Sequence, residues 1–89
     1  MRQSDLKDLE QIPGVGKRIA QNMRNIGIST VGQLRGQEPE AIYQKLFDFK
    51  ARPVDRCVLY VFRCAVYYVS NTEHDPELLK WWNWKYQNH

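Results

Sequence analysis

The chain has 89 residues, 43% of them apolar and 26% charged, with a net charge of +3. That length predicts one domain rather than two, since domains run to about 100–150 residues, and the apolar fraction excludes a disordered chain. It leaves no room for a cofactor domain beside a catalytic one, and no apolar run reaches the ~20 residues of a membrane span. The nearest, Val54 to Val69, is cut by Asp55, Arg56 and Arg63. Asp5, Lys7, Asp8 and Glu10 break any signal-peptide core at the start, so a cytoplasmic location is expected.

Ser4 is placed to cap a first short helix, with Asp5 and Asp8 in its first turns favouring the positive end of the dipole. Its apolar residues Leu6 and Leu9 lead to Ile12. Pro13, Gly14 and Gly16 then force a tight turn, with both glycines free to take positive φ. A helix follows from Lys17 to Ile26. On a 3.6-residue period, Ile19, Ala20, Met23 and Ile26 fall on one side and Lys17, Gln21 and Arg24 on the other. Gly27 ends it. Thr30 or Ser29 caps a brief helix carrying Val31 and Leu34, which Gly36 closes.

Pro39 suits a first helical position, with Glu38 at the cap. That helix runs to about Phe49 and turns Ile42, Tyr43, Leu46 and Phe49 inward. Pro53 starts a long helix, apolar in nearly every direction except a stripe of Arg56, Tyr60, Arg63 and Tyr67. Its Val and Tyr content makes a strand the competing reading. Sixteen uninterrupted residues are too long for a typical strand, so helix is preferred. The stripe reads as side chains snorkelling at a core rim, a second nucleic-acid surface being the lesser alternative. Asp75 and Pro76 cap a last helix carrying Leu78, Leu79, Trp81 and Trp82 on its packed side. Trp84 points nearly opposite, which marks it for a partner or self-association contact. The fold class is therefore all-α, a compact bundle of five or six helices spanning 1–89, with its C-terminal helices over 53–86.

Charge is distributed unevenly. Between Gln11 and Gln37 there is no acid, while Lys17, Arg18, Arg24 and Arg35 lie there. A local basic surface points to a polyanion, or else is a solvated helix face. Cys57 and Cys64 lie seven apart. On a helix that is about 10.5 Å along the axis, beyond the ~7 Å of a disulfide. They read as small buried apolar residues. His74 and His89 lack zinc-ligand spacing, so no metal is expected, and no cofactor. His74 beside Asp75 reads as part of a helix cap. The pair Asp5 and Asp8 reads as a solvated helix face. No Ser/His/Asp or Cys/His set is brought together, so no enzyme is expected.

The informative segment is Leu9-Glu10-Gln11-Ile12-Pro13-Gly14-Val15-Gly16-Lys17-Arg18-Ile19-Ala20. Bare glycine backbone followed by a helix N-terminus makes an anion site, and Lys17 adds a full charge there. The spacing excludes the nucleotide P-loop, which needs four residues between glycine and Gly-Lys-Ser/Thr.

These residues resemble the helix-hairpin-helix motif. Leu9 and Ile12 take its two apolar positions, Pro13-Gly14-Val15-Gly16 its hairpin, and Ala20 the small residue four places after the second glycine. The motif covers about 6–26 here. The resemblance implies a SAM-like domain that binds DNA through its phosphates without sequence readout. Gly14, Val15 and Gly16 would supply amides, Lys17 and Arg18 would flank the phosphate, and Gln21 and Arg24 would extend the face. Only one clean hairpin is present where full DNA-binding domains pair two, so binding to duplex or branched DNA is weak unless the chain dimerises. Gly27-Ile28-Ser29-Thr30-Val31, Leu34 and Glu38-Pro39-Glu40 are similar to the second half of such domains in TfoX-type competence regulators and the RNA polymerase alpha subunit. Over nearly the whole chain, including Val54 to Tyr60 and Leu79 to Trp84, it resembles the small bacterial "pathogenicity locus" proteins. In regulatory relatives such hairpins serve protein contacts, so a protein-interaction module, with a protein partner or as a homodimer, is the alternative function.

Overall fold

The computed structural model describes residues 8–86. The expected cap at Ser4, with Asp5 and Leu6, lies outside the described residues. A helical turn at 8–10 (α1) leads through the Pro-Gly turn to α2, Lys17–Asn25. There follow α3 (Val31–Leu34), α4 (Pro39–Lys50) and α5 (Arg56–Ser70), then two short 3₁₀ segments, Pro76–Leu79 and Trp81–Tyr86. No strand occurs among the described residues, so the competing strand reading of the Val54–Val69 run is settled for helix.

Local chemistry sets most boundaries. Gly27, at φ +95°, ends α2, and the Ile28 amide reaches back to the Met23 carbonyl at 2.9 Å. Thr30, not Ser29, caps α3: its hydroxyl accepts from the Gln33 amide while Gln33 Oε1 accepts from the Thr30 amide. Asp8 adds a cap from a distance, its Oδ2 accepting from the Val31 amide at 2.9 Å. The carboxylate expected on a solvated face thus ties α1 to the start of α3. Pro39 opens α4 as expected.

The core joins Leu9, Ile12 and Val15 to Ala20 and Met23 of α2, Leu34, Ile42 and Leu46, and Val61, Phe62, Ala65 and Val69 of α5. Phe62 is its largest fully buried side chain. Helix α5 packs against α3, α4 and both 3₁₀ segments, so it is the element the others surround.

Four sequence expectations need correction. Helix α5 begins at Arg56, because Ala51 takes a left-handed conformation (φ 53°) that ends α4, and Asp55 caps the next helix by accepting from the Cys57 amide. Pro53 therefore lies in the loop. Phe49 is 57% exposed rather than inward, since it sits past the Ile42–Leu46 line that faces the core. Cys57 is exposed while Cys64 is buried: the two share a face of α5, but Cys57 stands in its first turn and only Cys64 reaches the packed middle, near the Pro13 and Leu78 carbonyls. Finally, the last helix is two 3₁₀ segments broken at Lys80. In 3₁₀ geometry residues three apart eclipse, so Trp81 and Trp84 face the protein together. Trp84 is 8% exposed and its indole N–H donates to the Leu78 carbonyl at 2.8 Å, whereas Trp82 is 54% exposed.

The polar stripe on α5 is the seat of this terminal segment. Arg63 donates to Glu40 on α4 at 2.8 Å and to the Trp84 carbonyl at 2.9 Å. The Tyr67 ring lies 5.6 Å from that of Trp84, and its hydroxyl accepts from the Asp75 amide. His74 stacks on Tyr68 with ring centroids 4.7 Å apart, and its Nε2 contacts the Tyr68 carbonyl. Arg63 and Tyr67 of the stripe thus form an internal seam, while Arg56 at its start is exposed.

Candidate nucleic-acid interface

The turn between α1 and α2 is held from below. Ile12 and Val15 are buried, and the Val15 amide donates to the Ile12 carbonyl at 3.0 Å. That amide is consequently spent inside the protein. Gly14 has φ +86°, and a Cβ placed on it would lie 2.9 Å from Cδ1 of Trp81. Glycine is required there twice over, by conformation and by the indole packed upon it.

Gly16 differs. Its φ is −94°, its ψ −171°, and a Cβ there would meet nothing within 4 Å. Any L-residue could adopt that backbone, so neither conformation nor internal packing demands glycine. Gly16 is the N-cap of α2 and offers no side-chain cap; its carbonyl accepts from the Ala20 amide at 2.9 Å. The Gly16 amide and the first-turn amides of Lys17, Arg18 and Ile19 find no acceptor among the described residues. No acidic side chain stands in the first turn of α2. The result is an uncapped, positively polarised helix end with open space above it, and Lys17 and Arg18 exposed beside it.

The seven residues singled out from the sequence do not form one surface. Gly16, Lys17 and Arg18 lie together and exposed. Val15 is buried and Gly14 is partly covered by Trp81. Gln21 and Arg24 are half-buried farther along α2, and the Gln21 amide donates to Asn25. Arg35, the remaining cation of the acid-free stretch, donates to the Val69 carbonyl at 3.1 Å and serves the fold.

Two basic residues not singled out stand near the turn. Lys50 ends α4 and Arg52 lies in the following loop, and with Arg18 they line a groove of about 540 Å3 that also contains Asn22, Asp55 and Cys57. The signal was the Lys50-Ala51-Arg52 run itself, but it lies beyond the acid-free window and only the packing of α4 beside α2 brings it to Arg18. Asp55 is held below its ordinary carboxylate value, chiefly because its carboxylate accepts from the Cys57 amide. That same carboxylate raises the Cys57 thiol. Burial alone pushes the Cys64 thiol up to about 11.

Among the described residues no three His, Cys, Asp or Glu side chains gather as metal ligands, and no helix is long and apolar enough to cross a membrane.

The profile of the pathogenicity-locus family matches residues 2–89. The chain belongs to that family. The chain is also similar to the mitomycin resistance protein McrB of Streptomyces lavendulae, 29% identical over 84 residues that cover 94% of this chain and 76% of the relative. No solved structure matches the chain. Membership in the pathogenicity-locus family spans the turn, the groove and the terminal tryptophans alike.

Proposed function

We propose that this protein binds the sugar–phosphate backbone of DNA, without reading sequence, through a helix-hairpin-helix turn at the start of α2. Gly16 carries the reading. It is a glycine that neither conformation nor packing calls for, at an uncapped helix end where a Cβ would only obstruct an approaching ligand. The amides of Gly16, Lys17 and Arg18 are the donors, and the Lys17 and Arg18 side chains supply charge. Gly14 and Val15 shape the turn rather than donate: the one accommodates Trp81, the other plugs the core. Gln21 and Arg24, half-buried farther along α2, lie outside this surface.

A binding module rather than an enzyme fits these residues, acting within the cytoplasm as one domain.

Fluorescence anisotropy of a labelled duplex and a branched duplex, across a salt series, tests the proposal. Each phosphate neutralised contributes about 0.9 to the slope of log K against log salt. The turn with Lys17 and Arg18 engaging two phosphates gives a slope near −1.8, against the −3 of a fully extended face on α2. Lys17→Glu with Arg18→Glu is expected to abolish binding while leaving helical circular dichroism intact. Absence of binding to either DNA at low salt refutes the proposal.

A second reading draws on exposed aromatics. Phe49 and Trp82 are each more than half exposed, which favours a protein partner or a homodimer that covers one of these rings while the turn acts as scaffold.

A further inference from the structure

The groove beside the turn has a composition that backbone binding does not use. Arg18 comes from α2, Lys50 from the end of α4 and Arg52 from the loop, and they line it together. None of the three makes a hydrogen bond or ion pair among the described residues. The acid of the groove is Asp55, whose carboxylate is occupied by the Cys57 amide at 2.9 Å. Three cations and one committed carboxylate leave a net charge of +2 in the lining. Between the cations lie Ile19, Val54 and Val58, each half-buried, their inner sides packed against the core. Asn22 offers both a donor and an acceptor at the edge.

A volume of about 540 Å3 falls within the ~300–1,000 Å3 of small-molecule sites, which pair an apolar lining with a few placed polar groups. The charge is too concentrated for a phosphodiester, which carries one negative charge. A phosphomonoester carries nearly two at neutral pH. The apolar strip suits a flat or weakly polar body attached to it.

We propose that the groove between α2 and the α4–α5 loop binds a nucleoside monophosphate group, either a free nucleotide or the phosphorylated end of a strand. The phosphate lies against Arg18, Lys50 and Arg52, and the nucleoside lies along Ile19, Val54 and Val58, with Asn22 at its edge. This deepens the backbone-binding reading, with which it shares Arg18, by giving the protein a distinct site for a strand terminus.

Cys57 supplies the probe. It is exposed in the groove, while Cys64 is buried and silent in the folded protein. The experiment follows the rate of Cys57 alkylation by iodoacetamide at mildly alkaline pH in the full chain, with deoxyadenosine monophosphate, deoxyadenosine, or short duplexes with and without a terminal phosphate. The nucleotide is expected to slow alkylation about fivefold or more and to saturate, while deoxyadenosine leaves the rate alone. Lys50→Ala with Arg52→Ala is expected to remove the protection, each protein's rate with nucleotide being compared with its own unliganded rate, since loss of two neighbouring cations also disfavours the thiolate. Protection by the free nucleotide alone assigns the site to nucleotides; protection by the phosphorylated duplex beyond that of the unphosphorylated one assigns it to strand ends. An unchanged rate at about 10 mM nucleotide, which saturates even a millimolar site, overturns the proposal. Equal protection by deoxyadenosine, or protection that persists in the double variant, overturns it too. Duplex anisotropy with an unphosphorylated duplex is read separately, so backbone binding stands or falls without reference to this result.

Discussion

Two glycines separated by one residue make opposite predictions. At Gly14 an alanine would sit at φ +86° with its Cβ 2.9 Å from Cδ1 of Trp81. The left-handed backbone costs an L-residue about 1–2 kcal/mol. Forcing a methyl into a packed contact costs a further ~1–3 kcal/mol, depending on how far the indole can shift. Gly14→Ala is therefore expected to lose about 2–5 kcal/mol, a fall in Tm of about 8–40 °C for a chain of this size. At Gly16 the φ of −94° is ordinary and the space is open. Alanine there loses a little as an N-cap and gains a comparable amount by restricting the unfolded chain, so Gly16→Ala is expected within about 0.5 kcal/mol of the parent. Urea and thermal unfolding followed by circular dichroism measure both. Gly14→Ala as stable as the parent would refute the packing of Trp81 on the turn. If Gly16→Ala unfolds early, the glycine serves the fold and the functional argument drawn from it fails. With stability unchanged, a fall in duplex affinity in Gly16→Ala is the signature of a phosphate approaching bare backbone.

Three further predictions concern the fold around the site. Arg63→Met removes the donor to Glu40 and leaves the Trp84 carbonyl without its partner, costing about 1–3 kcal/mol. Tryptophan emission should shift red at lower urea, whereas Glu40→Gln, at a 45% exposed side chain, is expected to cost under ~1 kcal/mol. Trp84→Ala should cost about 3–5 kcal/mol and Trp82→Ala almost nothing; sedimentation of Trp82→Ala then reports whether that exposed ring joins two copies. For the thiols, native protein should take up one equivalent of alkylating agent at Cys57 and a second only on unfolding, since burial holds Cys64 neutral with a pKa of about 11. The Asp55 carboxylate favours the protonated Cys57 thiol. Asp55→Asn, which still caps α5, should move the Cys57 titration to lower pH; a midpoint unmoved or raised would contradict that contact.

How far the site was legible depended on the range of the interaction. The turn at Pro13–Gly16, its buried anchors Ile12 and Val15, and the exposed Lys17 and Arg18 are set by neighbours within a few residues, and the sequence pattern places them. The count of charges in a window was a poorer guide. Arg35 lies in the basic stretch but reaches the Val69 carbonyl, 34 residues away. Lys50 and Arg52 lie outside it and still face Arg18. No local rule reports either outcome, because both arise from the packing of one helix beside another.

Helix content, the caps at Thr30 and Asp75, the start of α4 at Pro39, and the apolar face of α2 follow from local propensity, capping chemistry and a 3.6-residue period, all properties of short stretches of chain. What only the tertiary structure decided lies where local preference is weak. Trp81-Trp82-Asn83-Trp84 reads as an α-helix that throws Trp84 outward. Packing on the stripe of α5 winds it instead as a 3₁₀ segment, because burying Trp81 and Trp84 together on Gly14, Tyr67 and Arg63 recovers more apolar area than α-helical hydrogen bonds in so short a piece can return. The same docking makes Arg63 and Tyr67, read as the rim of a core, into an internal seam. It also places an indole on one glycine of the turn and leaves the other open.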